Sequence, residues 1–249
     1  MRFRILTYNI HRAIGVDRRF RPERVARILT EHDPDLAVLQ EVDEGAPRSR
    51  ELDLARELAE HTGFPHVAVG HNVSLRKGRY GNATLSRYPI RSQRNIDLTV
   101  GFRKRRGCQH TGIELTGAGG RLLRLEVFNL HLGLSARERR QQIGLILASR
   151  EFAGLPGQAP CLVVGDFNDW RSLLRPVFTE QLGFRCATDR RGEPARPIPT
   201  YPSFFPRGGL DRIYYRGSLR LLSARSCRSR LARVASDHLP VIADFLLHG

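Results

Sequence analysis

Leu162-Val163-Val164-Gly165-Asp166-Phe167-Asn168 is a short apolar run that breaks on a glycine and delivers a carboxylate and an amide. Runs of this length bounded by turn residues mark buried strands. The form recurs along the chain. Asn9 follows Ile5-Leu6-Thr7-Tyr8, Glu41 follows Leu36-Ala37-Val38-Leu39-Gln40, and His131 follows Val127-Phe128-Asn129-Leu130. Any one of these alone reads as a turn cap, because Asn and Asp bond readily to nearby backbone groups. Their recurrence is the signal, since strand ends are where a sheet holds side chains rigidly at an open rim.

Outward from these strands the chain supplies helices. Pro22 followed by Val25, Ile28 and Leu29 predicts a helix with proline in its first turn, where the missing N–H costs little. Asp35 to Val42 reads as a buried strand. A helix from about Glu51 to His61 presents Leu52, Ala55, Leu58 and Ala59 on one face and stops at Gly63. Short β-rich segments fill Asn82 to Val127. Ser135-Ala136-Arg137-Glu138 has the form of a capping box and opens a helix expected to run from Ala136 to Phe152, with Arg137, Arg139 and Arg140 on its exposed face. A further helix is expected over Leu173 to Leu182, and strands over Leu210 to Tyr215 and Val241 to Leu247. The Pro-rich stretch Glu193 to Pro206 is too long for a turn and reads as a functional loop. Its Tyr201, Phe204 and Phe205 are expected to pack on one another in preference to stacking on bases. The strands come in two batches separated by helices, with no strict alternation and no repeat, which predicts packed mixed sheets with helices outside.

With 249 residues and 41% apolar content the chain can bury a sizeable core, and one domain over residues 1–249 is expected. The formal charge of +16 suits an anionic partner, nucleic acid included. Only Lys77 and Lys104 are lysine, so an arginine bias accounts for part of that charge. Cys108, Cys161, Cys186 and Cys227 form no C-x-x-C pair and read as free thiols of a reducing compartment. No leader-like segment opens the chain, and no apolar run nears the roughly 20 residues that span a bilayer. A soluble, cytoplasmic monomer is expected.

The strand-end residues hold the inventory for phosphoester hydrolysis. A hard cation such as Mg²⁺ takes a few oxygen ligands and keeps several waters, and Glu41, Asn9 and Asp237 are candidates to hold it. Asp166 is a candidate base for an attacking water. Asn168, His131 and a protonated His238 are candidate donors to the extra negative charge of the transition state. A carboxylate beside His238 would keep it protonated, and either Asp211 or Asp237 could be that partner.

Thr7-Tyr8-Asn9-Ile10-His11, Leu39-Gln40-Glu41-Val42-Asp43, Asn129-Leu130-His131-Leu132, Gly165-Asp166-Phe167-Asn168, Leu210-Asp211-Arg212-Ile213 and Ser236-Asp237-His238-Leu239-Pro240 resemble, in order, the motifs of the endonuclease/exonuclease/phosphatase superfamily. The resemblance runs from about residue 5 to 245. It implies a four-layered α/β sandwich with two packed mixed β-sheets and helices outside, and an Mg²⁺ or Mn²⁺ site at one rim. By resemblance Glu41 is the main metal ligand, assisted by Asn9 and Asp237. Asp166 acts on the water, Asn168 holds the phosphate, His238 contacts a phosphate oxygen with Asp211 behind it, and His131 makes a second phosphate contact. Secreted deoxyribonucleases of the family have a carboxylate behind that second histidine, where Tyr80 stands here, which argues against His131 as a charged acid. Arg103 and Arg106 lie in a segment similar to one that approaches the phosphate in many members, and with Asn82 they are candidate substrate contacts. The expected function is a divalent-metal-dependent phosphodiesterase or phosphatase acting on nucleic acid, a phosphorylated lipid or a small molecule. The competing reading is a catalytically silent, basic nucleic-acid-binding module on the same fold.

Overall fold

The structure, a computed structural model, describes residues 1–190 and 193–248. Six strands make the first sheet: β1 (Arg2–Asn9), β2 (Leu36–Glu44), β3 (His66–Ser74), β4 (Arg79–Ser86), β13 (Leu219–Ser226) and β14 (Val241–Leu247). Their order is β13-β14-β1-β2-β4-β3, with β1 and β2 parallel and the other pairs antiparallel. The second sheet holds β5 (Ile90–Asp97), β6 (Gly107–Thr116), β7 (Leu122–His131), β8 (Cys161–Asp166), β9 (Arg185–Cys186) and β12 (Asp211–Arg216). Its order is β5-β6-β7-β8-β12-β9, and β7 and β8 are its parallel pair.

The period of two along each strand divides the core. Phe3 and Ile5 of β1, Leu36 and Val38 of β2, Leu125 and Val127 of β7, and Leu162 and Val164 of β8 fill the space between the sheets. Their alternates face outward. Leu6, Tyr8 and Leu39 are covered by α1 (Pro22–His32), α2 (Leu54–Thr62) and α5 (Arg230–Ala235). Phe128, Leu130 and Val163 are covered by α3 (Ala136–Ala148) and α4 (Arg150–Ala153). Helix, sheet, sheet and helix are the four layers expected.

The inward face of these same strands turns polar toward one end. Gln40, Asn82, Thr84 and Asn129 are buried there and bond across the layer, and Thr7, also buried, accepts from Gln40. Gln40 Nε2 donates to Asn129 Oδ1 at 2.8 Å, and Asn129 Nδ2 donates to the carbonyls of Leu39 and Ala83 at 3.0 Å. Thr84 Oγ1 donates to Gln109 Oε1 at 2.8 Å. Satisfied polar groups in low dielectric rigidify what they join, so this network staples the two sheets beneath the rim. Both parallel pairs run toward that rim, which brings Asn9, Glu41, His131 and Asp166 to one edge.

Four local expectations are corrected. The helix from Ala136 to Phe152 is broken at Ser149, whose extended backbone (ψ 146°) ends α3 and whose hydroxyl caps α4 by accepting from Phe152 N. Arg139 is buried, not on an exposed face: it donates to the Leu134 carbonyl at 2.7 Å and to Asp169 at 3.3 Å. Over Leu173 to Leu182 the regular winding is a π-helical turn, Val177–Gln181. Asp169 Oδ2 takes the Leu174 N–H at 2.7 Å and Ser172 sits at φ +54°, so the start of that segment is held in a turn. The Pro-rich stretch begins as β11 (Glu193–Pro197), paired with β10 (Asp189–Arg190), and only its remainder is loop. All four cysteines are free. Among the described residues no helix is long and apolar enough to cross a membrane.

Gly165, which aims Asp166, has φ +135°, and a Cβ there would lie 2.0 Å from the Leu130 carbonyl oxygen. Gly165→Ala is therefore expected to destabilise the protein by roughly 3 kcal/mol in urea unfolding. Gly144 lies inside α3, with open space where an alanine methyl would stand. Gly144→Ala is expected to stabilise by about 0.5–1 kcal/mol in the same measurement.

Candidate active site

Asp166 closes β8 on its inner face, fully buried. Its Oδ1 accepts the Asn168 N–H at 2.9 Å, and its Oδ2 accepts from Asn9 Nδ2 at 3.1 Å. His131 Nε2 is 3.4 Å and His238 Nε2 3.7 Å from the same Oδ2. Burial raises the Asp166 carboxyl to about 6; the His238 charge opposes that rise and Asp211 adds to it. Asn168 adopts φ +50°, a left-handed turn that asparagine tolerates better than most residues, and this turn carries its N–H back to Asp166. One of its amide protons is held by the Leu132 carbonyl at 2.9 Å, leaving the other to donate.

Asp211 opens β12 directly opposite Asp166 in the ladder. Two buried carboxylates so placed repel unless a cation joins them. His238 is that cation. Its Nδ1–H donates to Asp211 Oδ2 at 2.9 Å, and Thr200 Oγ1 donates to the same oxygen. Burial by itself would lower the imidazole's pKa, but Asp211 and Asp166 outweigh it and raise it to about 10. The choice of partner left open by the residues falls on Asp211. Asp237 points elsewhere, with Oδ1 3.8 Å from His11 Nδ1 and 3.3 Å from the Ser236 hydroxyl. Ser236 Oγ donates to the Asn9 carbonyl at 2.7 Å and accepts the His238 N–H at 3.2 Å, which fastens this segment to β1.

His131 behaves oppositely to His238. Burial, then the charges of Arg106, His238 and Lys104, hold it well below the ordinary histidine range, so it is neutral near pH 7. Glu41 stands on a bulge where β2–β4 pairing shifts register between Leu39 and Val42, and it adopts φ +59°. Its ion-pair approaches are long, 3.7 Å to Arg12 Nε and 3.9 Å to His131 Nδ1. Among the described residues no group of three or more His, Cys, Asp or Glu side chains is arranged to hold a metal. The donors near the rim are the Glu41 carboxylate, the Asn9 amide oxygen and Asp237, a sparse oxygen set that fits a hard cation retaining most of its waters.

Arg106 is buried, and its Nε has no hydrogen-bond partner. Its charge acts on His131, Tyr80 and Lys104, which locates it at the site. Arg103 is exposed and stands 3.4 Å from Glu138 on the groove that Lys104 and Arg106 also line. Asn82 is a correction to the expected substrate contacts, because its amide N–H groups are committed to the carbonyls of Gly107 and Asn129 at 3.2 and 3.0 Å. The aromatic loop is corrected as well. Tyr201 packs on His238 and Trp170, with ring centroids 4.9 and 5.5 Å away, while Phe204 and Phe205 are exposed.

Sequence reasoning missed Arg12, Lys104 and Thr200 as residues around the site, and it gave Tyr201 and Ser236 no part in positioning His238. Lys104 carried a signal, being one of two lysines in a chain that otherwise uses arginine; its Nζ stands 5.5 Å from the Tyr80 ring centroid. Arg12 carried none, because its place depends on the irregular turn after β1, where it sits at φ +61°.

Layered sheets that deliver acids, amides and imidazoles to one rim define an α/β sandwich of the phosphoesterase class. Residues 6–238 match the Endonuclease/Exonuclease/phosphatase family, and the chain belongs to that family, whose members are phosphoesterases and generally use divalent metals. It is 33% identical to the YbhP protein of Escherichia coli strain K12, over 98% of this chain and 96% of that one. Its fold is similar to that of a mannosyl-6-phosphatase from Bacteroides thetaiotaomicron (TM-score 0.76, 18% identity, covering 98% of this chain and 100% of that one). It is likewise similar to truncated TDP2 of Caenorhabditis elegans (TM-score 0.68, 20% identity, 99% and 98% covered).

Asp211→Asn removes the charge nearest His238. In an NMR titration of the imidazole the His238 midpoint is expected to move down from about 10 by more than one unit, with His131 still neutral. An unmoved midpoint would contradict the pairing.

Proposed function

We propose that the chain is a divalent-metal-dependent phosphoester hydrolase, a phosphodiesterase or phosphatase working with Mg²⁺ or Mn²⁺ on one domain. The observation that carries this reading is the buried His238 imidazolium held between Asp211 and Asp166. Burying an ion is costly, and this one turns its Nε2 toward Asp166, beside the amide and imidazole that would meet a phosphate. Glu41, with Asn9 and Asp237, would hold the metal. When bound, the metal neutralises phosphate charge and polarises the phosphoryl group.

The remaining roles follow from protonation state. Asp166 is ionised at neutral pH yet basic enough, at about 6, to take a proton from an attacking water. Its hydrogen bonds from Asn9 and the Asn168 backbone fix its direction. His238, already protonated, donates from Nε2 toward phosphoryl oxygens, because its Nδ1–H is engaged by Asp211. The free amide proton of Asn168 and the neutral ring of His131 donate alongside it, and Arg106 supplies a fixed positive charge. Donors held in place where charge develops stabilise the transition state without reorganising. A phosphate on a nucleic acid, a lipid or a small molecule presents the same oxygens to this set.

Turnover of bis-p-nitrophenyl phosphate with Mg²⁺ or Mn²⁺ is expected to be abolished by EDTA. Asp166→Ala and His238→Ala should each lower it by roughly 10²-fold or more. Activity indifferent to EDTA and to both substitutions would overturn the proposal. The pH profile should rise through about 6, as Asp166 loses its proton, and fall near 10, as His238 loses its own. A profile flat from pH 5 to pH 11 would contradict these assignments.

A further inference from the structure

Four loops of the second sheet leave the rim that carries the site: 98–106 between β5 and β6, 132–135 after β7, 167–176 after β8, and 198–210 before β12. They share a composition that the chemistry of the site does not require. Among the described residues, seven large apolar side chains are more than half exposed, and six lie on these loops. Phe102 is wholly exposed, and Leu134, Trp170, Leu173, Phe204 and Phe205 accompany it. The seventh, Leu122, starts β7 at the opposite end of the sheet.

Charge follows the same distribution. Phe102 is followed by exposed Arg103, Lys104 and Arg105, and Trp170 by exposed Arg171. The Arg207 guanidinium lies 4.4 Å from the centroid of the Phe205 ring. The one acidic residue on the four loops, Asp169, is buried against Arg139 and the Leu174 N–H. These four loops therefore present apolar tips among cations, with no exposed carboxylate of their own.

Apolar side chains exposed in this number mark a surface that meets something. A protein partner would be met by a continuous apolar patch or groove, whereas here the tips stand on four separate loops around the mouth. Single-stranded nucleic acid would use aromatic faces for stacking, which Leu134 and Leu173 lack. Apolar tips that enter the acyl boundary while arginines meet the headgroups are the chemistry of binding at a lipid interface. We propose that the mouth of the site docks on an anionic phospholipid surface through these four loops. The docked mouth faces the headgroup layer. On the hydrolase reading above, docking presents a lipid-borne phosphoester to Asp166 and His238.

Trp170 is the only tryptophan in the chain, so intrinsic fluorescence reads this surface directly. Mixing the protein with phosphatidylcholine vesicles containing phosphatidylglycerol is expected to shift the emission to the blue and to allow quenching by brominated acyl chains. Pure phosphatidylcholine vesicles should bind roughly tenfold more weakly. The triple variant Phe102→Ser, Phe204→Ser, Phe205→Ser should lose roughly tenfold or more in vesicle affinity. Its thermal unfolding and its turnover of soluble bis-p-nitrophenyl phosphate should be unchanged. Absence of the shift with anionic vesicles would overturn the proposal, as would equal vesicle affinity for the variant. So would a blue shift given only by single-stranded oligonucleotide. Vesicle binding requires no turnover, so this test stands or fails separately from the hydrolase reading.

Discussion

His238 sits between Asp211 at 2.9 Å and Asp166 at 3.7 Å, almost wholly buried. Each of the three charges would be costly to bury alone, and each makes the other two tolerable. The grouping also ties the fold together. Asp166 and Asp211 belong to the second sheet, whereas His238 leads into β14 of the first and is anchored to β1 through Ser236. Closing the two sheets at this rim and assembling the site are thus one event. The Gln40–Asn129 and Thr84–Gln109 bonds beneath continue the same closure inward until the apolar core takes over.

The architecture was legible because the physics that sets it is local. Each strand that ends at the rim alternates two apolar sets, one for the inter-sheet core and one for a helix layer, so it reads as a continuous apolar run. Asn9, Glu41, His131 and Asp166 stood out because a polar residue at the end of such a run has no place in either core. What the sequence hid was set by tertiary contact. Nothing local in Leu173 to Leu182 announces that Asp169 will capture the Leu174 N–H and hold the segment in a turn. Arg139 falls on a helix face that other charges made look exposed, and it is buried because Asp169 and the Leu134 carbonyl meet it there. Arg103 and Arg106 are three residues apart in one basic run, yet one is exposed at the groove and the other buried beside His131. The ladder decides this, because Arg106 immediately precedes β6.

Backbone strain helps to aim side chains at the rim. Glu41, Asn168 and Arg12 all take positive φ without being glycine, and all three border the site. Each such residue costs of order 1–3 kcal/mol, which the surrounding ladder and polar network offset. The bulge at Glu41 shows the gain. It turns an acid out of the regular alternation of β2 toward the rim, where its weak approaches to Arg12 and His131 leave its oxygens accessible to a cation. On the proposed reading the sparse oxygen donors would hold the cation, and the imidazolium with the amide donors would meet the phosphate.

The central claim is that this rim binds a hard cation and a phosphate together. Crystals grown with Mn²⁺ and inorganic phosphate, measured for manganese anomalous scattering, test it most directly. An anomalous peak is expected about 2 Å from a Glu41 carboxylate oxygen. Phosphate should lie within hydrogen-bond reach of Asn168 and His238. A manganese peak away from Glu41, or phosphate bound without contact to His238, would contradict it.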